Sequence, residues 1–156
     1  MNIKNKILIA LMVFIVASLG SYFTNMGMGG WYETLNIPLW TPPGAFIGLV
    51  WTIIYILLTF SMILILSKRN IDQFKFIHIK RWFALNLILN LFWSFVFFAN
   101  QEIFLAIFVA GMLALSVYIL IYLVRPVSRW GAIALYPYAI WTTFATILNA
   151  IIWTLN

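Results

Sequence analysis

The chain has no cysteine, one histidine and three acidic residues among 156, and charged side chains make up only 8% of it. Without cysteine there can be no disulfide, no zinc–thiolate site and no thiol nucleophile. The carboxylates, Glu33, Asp72 and Glu102, are far apart in sequence, and the lone imidazole is His78. No Ser–His–Asp set, carboxylate pair or glycine-rich phosphate loop can be assembled from this inventory. Hydrolytic and phosphoryl-transfer chemistry is thereby disfavoured. A solitary histidine between apolar runs reads as a solvated loop residue, not as a haem or metal ligand. No metal site and no resident cofactor is expected.

What the chain does have is apolar surface. Hydrophobic residues are 65% of it and the mean hydropathy is +1.07, against about 45–50% apolar residues in soluble domains. A single domain of this length cannot bury that surface against itself, so lipid must cover the excess. Five apolar runs stand out, at about 7–23, 45–67, 82–99, 103–124 and 132–155. Each matches the roughly 20 residues that a membrane-crossing helix needs. The expected fold is therefore all-α, an integral membrane bundle of five transmembrane helices forming one domain over 1–156. Lys4 and Lys6 before the first run also suit a signal peptide. The run is long for one, and Gly20-Ser21-Tyr22 is a poor cleavage site, which favours a retained helix.

Charge gives the orientation. All nine basic residues fall before helix 1, between helices 2 and 3, or between helices 4 and 5: Lys4, Lys6, Lys68, Arg69, Lys75, Lys80, Arg81, Arg125 and Arg129. With five spans these lie on one side, which the positive-inside rule makes cytoplasmic. The N-terminus is then expected in the cytoplasm and the C-terminus outside, in a multi-pass protein of the cell membrane. The net charge of +6 reads as membrane anchoring, with no nucleic-acid partner implied.

No Asp, Glu, Lys, Arg or His falls inside any of the five runs. Ion-coupled pumps place such a group there, because something must bind and release the ion. The polar residues that do enter are amides and hydroxyls. Asn86, Asn90 and Ser94 recur at i, i+4 and i+8, on one face of helix 3. Asn149 lies near the outer end of helix 5. Interhelical hydrogen bonding explains such residues, and a ligand contact is the other reading, favoured equally for Asn90. Ala106, Ala110, Gly111 and Ala114 on helix 4 permit close helix approach, within a protomer or between protomers.

The eight tryptophans divide by depth. Trp82, Trp130 and Trp153 sit at helix ends, where an indole prefers the headgroup level. Trp51, Trp93 and Trp141 lie deeper; Trp51 is roughly 9 Å from the outer start of helix 2 at 1.5 Å per residue. A deep indole needs a partner for its N–H, either a neighbouring helix or a flat ligand. The connection over about 26–44 carries Gly29-Gly30, Trp31-Tyr32, Trp40 and Pro42-Pro43, with Glu33 as its only charge. It is too aromatic for a solvated tether and is expected to fold as a lid over the outer end of the bundle. Proline is tolerated there because it enters the first turn of helix 2.

Trp31-Tyr32, Leu35, Pro38, Trp40-Thr41-Pro42-Pro43, Trp51 and Tyr55 together resemble the pattern of the tryptophan-rich sensory protein family. That family includes the mitochondrial translocator protein, or peripheral benzodiazepine receptor. Leu89-Asn90, Trp93 and Phe97-Phe98 are similar to its third-helix block. Tyr136-Pro137-Tyr138, Trp141, Phe144-Ala145 and Leu148-Asn149 are similar to its fifth-helix block. The resemblance runs in order through nearly the whole chain, with helices 1 and 4 carrying little of it.

The resemblance implies a five-helix bundle, commonly a homodimer, that binds protoporphyrin IX-type tetrapyrroles and isoquinoline-carboxamide or benzodiazepine-type ligands. In bacterial members it implies tetrapyrrole regulation and light-dependent porphyrin breakdown, with the porphyrin as ligand or substrate. Carried onto this chain, the ligand site takes Tyr32, Pro42, Phe46, Trp51, Asn90, Trp93, Tyr138, Trp141 and Ala145. Trp51 and Trp141 are the implied photochemical residues. The ligand is expected between helices 2 and 5, under the first loop. A porphyrin transporter is the alternative, although neither an internal repeat nor a broken helix is evident in the sequence, apart from the proline-rich entry to helix 2. The cholesterol motif of vertebrate relatives is absent: Ala150 stands at its tyrosine place and Thr154 at its basic place. Cholesterol as a partner is therefore doubtful.

Overall fold

The computed structural model describes residues 2–68 and 71–156. Its helices are α1 (Ile3–Met28), α2 (Gly44–Leu66), α3 (Gln73–Ser94), α4 (Ile103–Val124), α5 (Arg129–Ile133) and α6 (Tyr136–Leu155). The described residues form no strand. Five helical stretches are long and apolar enough to cross a bilayer, the fifth being α5 and α6 taken together. The chain is thus an all-helical, multi-pass membrane protein.

Helix ends depart from the expected bounds where polar residues extend a helix past the hydrocarbon. α1 runs from Ile3 to Met28, beyond the expected 7–23 at both ends. α3 begins at Gln73, nine residues before the expected start at Trp82. Asp72 explains this start: its Oδ2 accepts the Lys75 backbone N–H at 3.0 Å, a helix N-cap. His78 is consequently on a helix, with its ring 4.2 Å from that of Phe74, not in a loop. Arg69, in the same basic connection, lies outside the described residues.

The fifth span is broken where one helix was expected over 132–155. Ser128 Oγ accepts the Gly131 N–H at 3.2 Å and starts α5. Pro137 has no N–H to give the carbonyl of Ile133, four residues back, so α5 stops and α6 starts afresh with proline in its first turn. α3 ends in a π-helical turn over Phe95–Ala99, with the Asn100 N–H bonded to Phe95 O at 2.9 Å. The wider turn carries Phe97 and Phe98 inward, and both are buried. α1 crosses this turn closely. A Cβ built on Gly27 falls 2.6 Å from Phe98 O, so only glycine fits there.

Two clusters hold the bundle. One is aliphatic and near the basic end, around Ile54, Leu58, Ile79, Phe83, Val117, Leu120 and Leu135. The other is aromatic and near the outer end, around Val96, Phe97, Phe98, Ala106, Leu148 and Ile152, with Trp31, Tyr32 and Leu35 of the loop packed on it. α4 packs on α3 and α6. Its small residues Ala106, Ala110 and Ala114 are buried, and a Cβ on Gly111 meets Thr146 at 4.0 Å. These positions therefore serve packing inside the protomer.

Candidate functional site

A cavity of about 500 Å³ lies between the two clusters and the lid. It is bounded by α1, α2, α3, α6 and the loop, while α4 contributes nothing to it. The expected cleft between the second and fifth spans is therefore a four-helix chamber. The wall nearest lipid is the α1–α2 side, where the lining residues Ser21, Gly44, Gly48 and Thr52 are exposed.

Trp51 is the aromatic hub. Its ring lies 5.8 Å from Tyr55, 6.3 Å from Trp93 in a stacked arrangement, and 6.1 Å from Tyr138 edge-on. Trp93 in turn stacks on Phe97 at 5.7 Å. On the facing helix, Trp141 packs on Phe144 at 5.3 Å, and Trp40 of the lid caps Phe144 at 5.8 Å. Tyr32 rests on Phe98 at 5.8 Å. Burial raises the Tyr32 phenol above its ordinary value, so it stays neutral over the physiological range.

Below the aromatic layer runs a directed hydrogen-bond chain. Tyr55 donates to Asn90 Oδ1 at 2.7 Å, and Asn90 Nδ2 donates to the Tyr138 hydroxyl at 2.9 Å. Tyr138 donates to Asn86 Oδ1 at 3.1 Å, and Asn86 Nδ2 donates to Ser116 Oγ at 2.8 Å. Ser116 ends the chain on Leu113 O at 2.6 Å. The chain ties α2, α3, α4 and α6 together inside the bundle.

Above the cavity the lid is clasped to α6. The Asn36 N–H donates to Asn156 Oδ1 at 2.9 Å, Asn36 Nδ2 to Leu155 O at 3.2 Å, and Asn156 Nδ2 to Asn36 O at 3.0 Å. Thr34 Oγ1 closes the short turn of the lid on Trp31 O at 2.7 Å.

The site residues expected from sequence divide accordingly. Tyr32, Pro42, Trp51, Asn90, Trp93, Trp141 and Ala145 all line the cavity. Phe46 and Tyr138 do not. Phe46 is half exposed, with its ring 6.4 Å from Trp141 on the outside of the wall. Tyr138 is buried behind Trp51 and spends its hydroxyl on the two asparagines. Asn90 is 2% exposed and already bonded to two tyrosines, so it works first as a strut.

Sequence reasoning missed helix 1. Ala17, Gly20, Ser21 and Thr24 form one wall of the cavity. Their spacing at i, i+3, i+4 and i+7, small residues in an otherwise bulky run, was the available signal. Among the described residues no cluster of histidine and carboxylate could hold a metal ion. No lining residue is charged. The chamber can bind and orient a flat apolar molecule, against walls that carry no carboxylate, imidazole or amine.

Comparison with known proteins agrees with this architecture. The model of the TspO/MBR family matches residues 8–154. The Tryptophan-rich protein TspO of Bacillus cereus is 33% identical over 128 residues, covering 81% of this chain and 80% of that protein. The protein of the same name from Archaeoglobus fulgidus is 30% identical over 156 residues, covering 100% and 99%. The Translocator protein of Homo sapiens is 29% identical over 141 residues, covering 88% and 81%.

Proposed function

The chain belongs to the TspO/MBR family, and from that premise we propose that it is a membrane sensor that binds tetrapyrroles of the protoporphyrin IX type. One observation carries the reading: three tryptophans from three helices, Trp51, Trp93 and Trp141, line one cavity of about 500 Å³ roofed by an aromatic loop. Pockets for drug-sized ligands run from about 300 to 1,000 Å³ and are mostly apolar. A macrocycle held there has indole and phenyl rings against its faces. Offset aromatic contacts contribute about 0.5–1.5 kcal/mol each beyond area burial. Several of them support micromolar binding, about −8 kcal/mol. The same chamber suits isoquinoline-carboxamide and benzodiazepine-type ligands, which are flat and largely apolar.

The basic end faces the cytoplasm under the positive-inside rule, so the lid and cavity mouth face outward. With dioxygen as the oxidant, an excited porphyrin in the chamber would activate oxygen beside Trp51 and Trp141, which supports light-dependent oxidative porphyrin breakdown as the turnover. No carboxylate, imidazole or amine lines the cavity. Through ligand occupancy the protein would report on, and so regulate, tetrapyrrole metabolism.

Two measurements test the proposal. Protoporphyrin IX should quench tryptophan fluorescence saturably in nanodiscs holding the protein, and not in empty ones. On illumination, the Trp51→Phe, Trp141→Phe double variant should consume bound porphyrin more slowly than wild type. Equal consumption removes the tryptophans from the photochemistry, and absence of saturable quenching removes the tetrapyrrole reading.

A further inference from the structure

Sulfur is scarce in this chain, which has six methionines and no cysteine. Among the described residues that line the cavity, Met28 alone carries it. Met28 is the last residue of α1, and Gly29-Gly30 follow. Gly30 has φ +156°, an angle that favours glycine, and there the chain turns from the helix into the lid. The Met28 side chain is partly buried against the aromatic cluster that also takes Trp31 and Tyr32 of the lid. Its methyl group lies 3.7 Å from where a Cβ on Gly44 would stand, so it reaches across to the start of α2. The sulfur is one bond behind that methyl. The thioether thus sits where α1, α2 and the lid meet. Met26, two residues earlier, is 57% exposed and does not line the cavity.

A thioether is soft and polarizable, and oxidation turns it into a polar sulfoxide. In the tetrapyrrole reading, an excited porphyrin and dioxygen meet in the chamber whose wall Met28 forms. We propose, resting on that reading, that Met28 is a photo-oxidation site: oxygen activated in the cavity converts it to its sulfoxide, which loosens the lid. In the net step, sulfide, dioxygen and water give sulfoxide and hydrogen peroxide. An S–O bond forms to the water oxygen, and both water protons leave on the peroxide. Sulfur loses two electrons and dioxygen gains them. The porphyrin supplies excitation energy and returns unchanged from this step.

The sulfoxide puts a polar oxygen into an apolar junction. A buried polar atom needs a donor or water, and admitting water there parts the lid from α1 and α2. Light exposure is thereby recorded on the cavity wall as easier ligand release. Methionine sulfoxide reductases reverse such a mark.

Met26 and Met28 provide an internal comparison, since they share one peptide fragment and one end of α1. The full chain in nanodiscs is illuminated in air, either with protoporphyrin IX at less than one per protein or with rose bengal, an anionic sensitiser that stays in water. Tandem mass spectrometry then locates the added oxygen. Rose bengal attacks from outside, so Met26 should be oxidised first. Protoporphyrin should invert the order and oxidise Met28 first. Met26 leading with both sensitisers overturns the inference. If protoporphyrin still quenches saturably in that case, the tetrapyrrole proposal stands and this inference alone falls; without saturable quenching both fall. For the lid, fresh protoporphyrin is added in the dark after illumination and its dissociation is timed. Wild type should release it faster than before illumination. Met28→Leu, which keeps the apolar bulk without the sulfur, should show no such acceleration. Equal acceleration in both overturns the link between the sulfoxide and the lid.

Discussion

Asn36 and Asn156, 120 residues apart, hold each other by reciprocal amide–backbone hydrogen bonds of 2.9 and 3.0 Å. This clasp joins the lid to the outer end of α6. Because the lid roofs the cavity, the clasp stands between a bound ligand and its way out.

Opening the lid must break the clasp. Exposed hydrogen bonds contribute modestly, about 0.5–1.5 kcal/mol net each. Asn156→Ala should therefore speed ligand dissociation about fivefold, equivalent to ~1 kcal/mol, with a small effect on unfolding temperature. Stopped-flow recovery of tryptophan fluorescence gives the rate. An unchanged rate means that the ligand leaves by another route, the lipid-facing α1–α2 side being the candidate.

Asn90 should matter more for stability than for direct ligand contact. Replacing it with leucine leaves the Tyr55 hydroxyl without its acceptor and takes a donor from the Tyr138 oxygen, which keeps its bond to Asn86. Leaving a buried donor or acceptor unpaired costs about 1–3 kcal/mol. Tyr55→Phe removes one end of the chain and should cost less. Thermal unfolding in detergent, followed by circular dichroism, ranks the two; a Tyr55→Phe loss exceeding that of Asn90→Leu would contradict the strut role.

Two glycines on α1 should answer oppositely to alanine. At Gly27 a Cβ lies 2.6 Å from Phe98 O, a backbone atom that cannot swing aside. At Gly20 the nearest atom is Ser94 Oγ at 3.5 Å, an ordinary contact. Gly27→Ala should destabilise by about 1–3 kcal/mol through overpacking. Gly20→Ala should be neutral or slightly stabilising, as alanine is the better helix former. The same melting experiment reads both.

The absence of native cysteine makes topology directly measurable. Leu39, fully exposed in the lid, and Phe74, exposed near the start of α3, lie at opposite ends of the bundle. In intact cells a membrane-impermeant maleimide should label Leu39→Cys and leave Phe74→Cys unreacted until lysis. The reverse pattern would invert the orientation that the basic residues imply.

How much could be read beforehand differs from element to element. The spans were legible because lipid demands about 20 apolar residues in each, a requirement on composition that any fold must meet. Their ends were not. Whether Gln73–Arg81 coils or stays extended depends on the Asp72 cap, and whether the fifth span breaks depends on the missing Pro137 N–H. The depth of Trp51, Trp93 and Trp141 pointed to a chamber. That Phe46 faces out of it, and Tyr138 sits behind it, did not follow from depth. A residue's angle on its helix sets its face, and only neighbouring helices define which face looks into a cavity.

The sequence by itself determined that the chain crosses a membrane five times, with every basic residue at one end and no acidic or basic residue within a span, because composition and charge segregation are properties of the linear chain. Tertiary structure alone decided that α1 closes the chamber and α4 does not, and that Asn90 is a strut between two tyrosines. The physical reason is that hydrogen-bond satisfaction is a relation between helices: whether a buried N–H is paired depends on what the packed bundle sets opposite it.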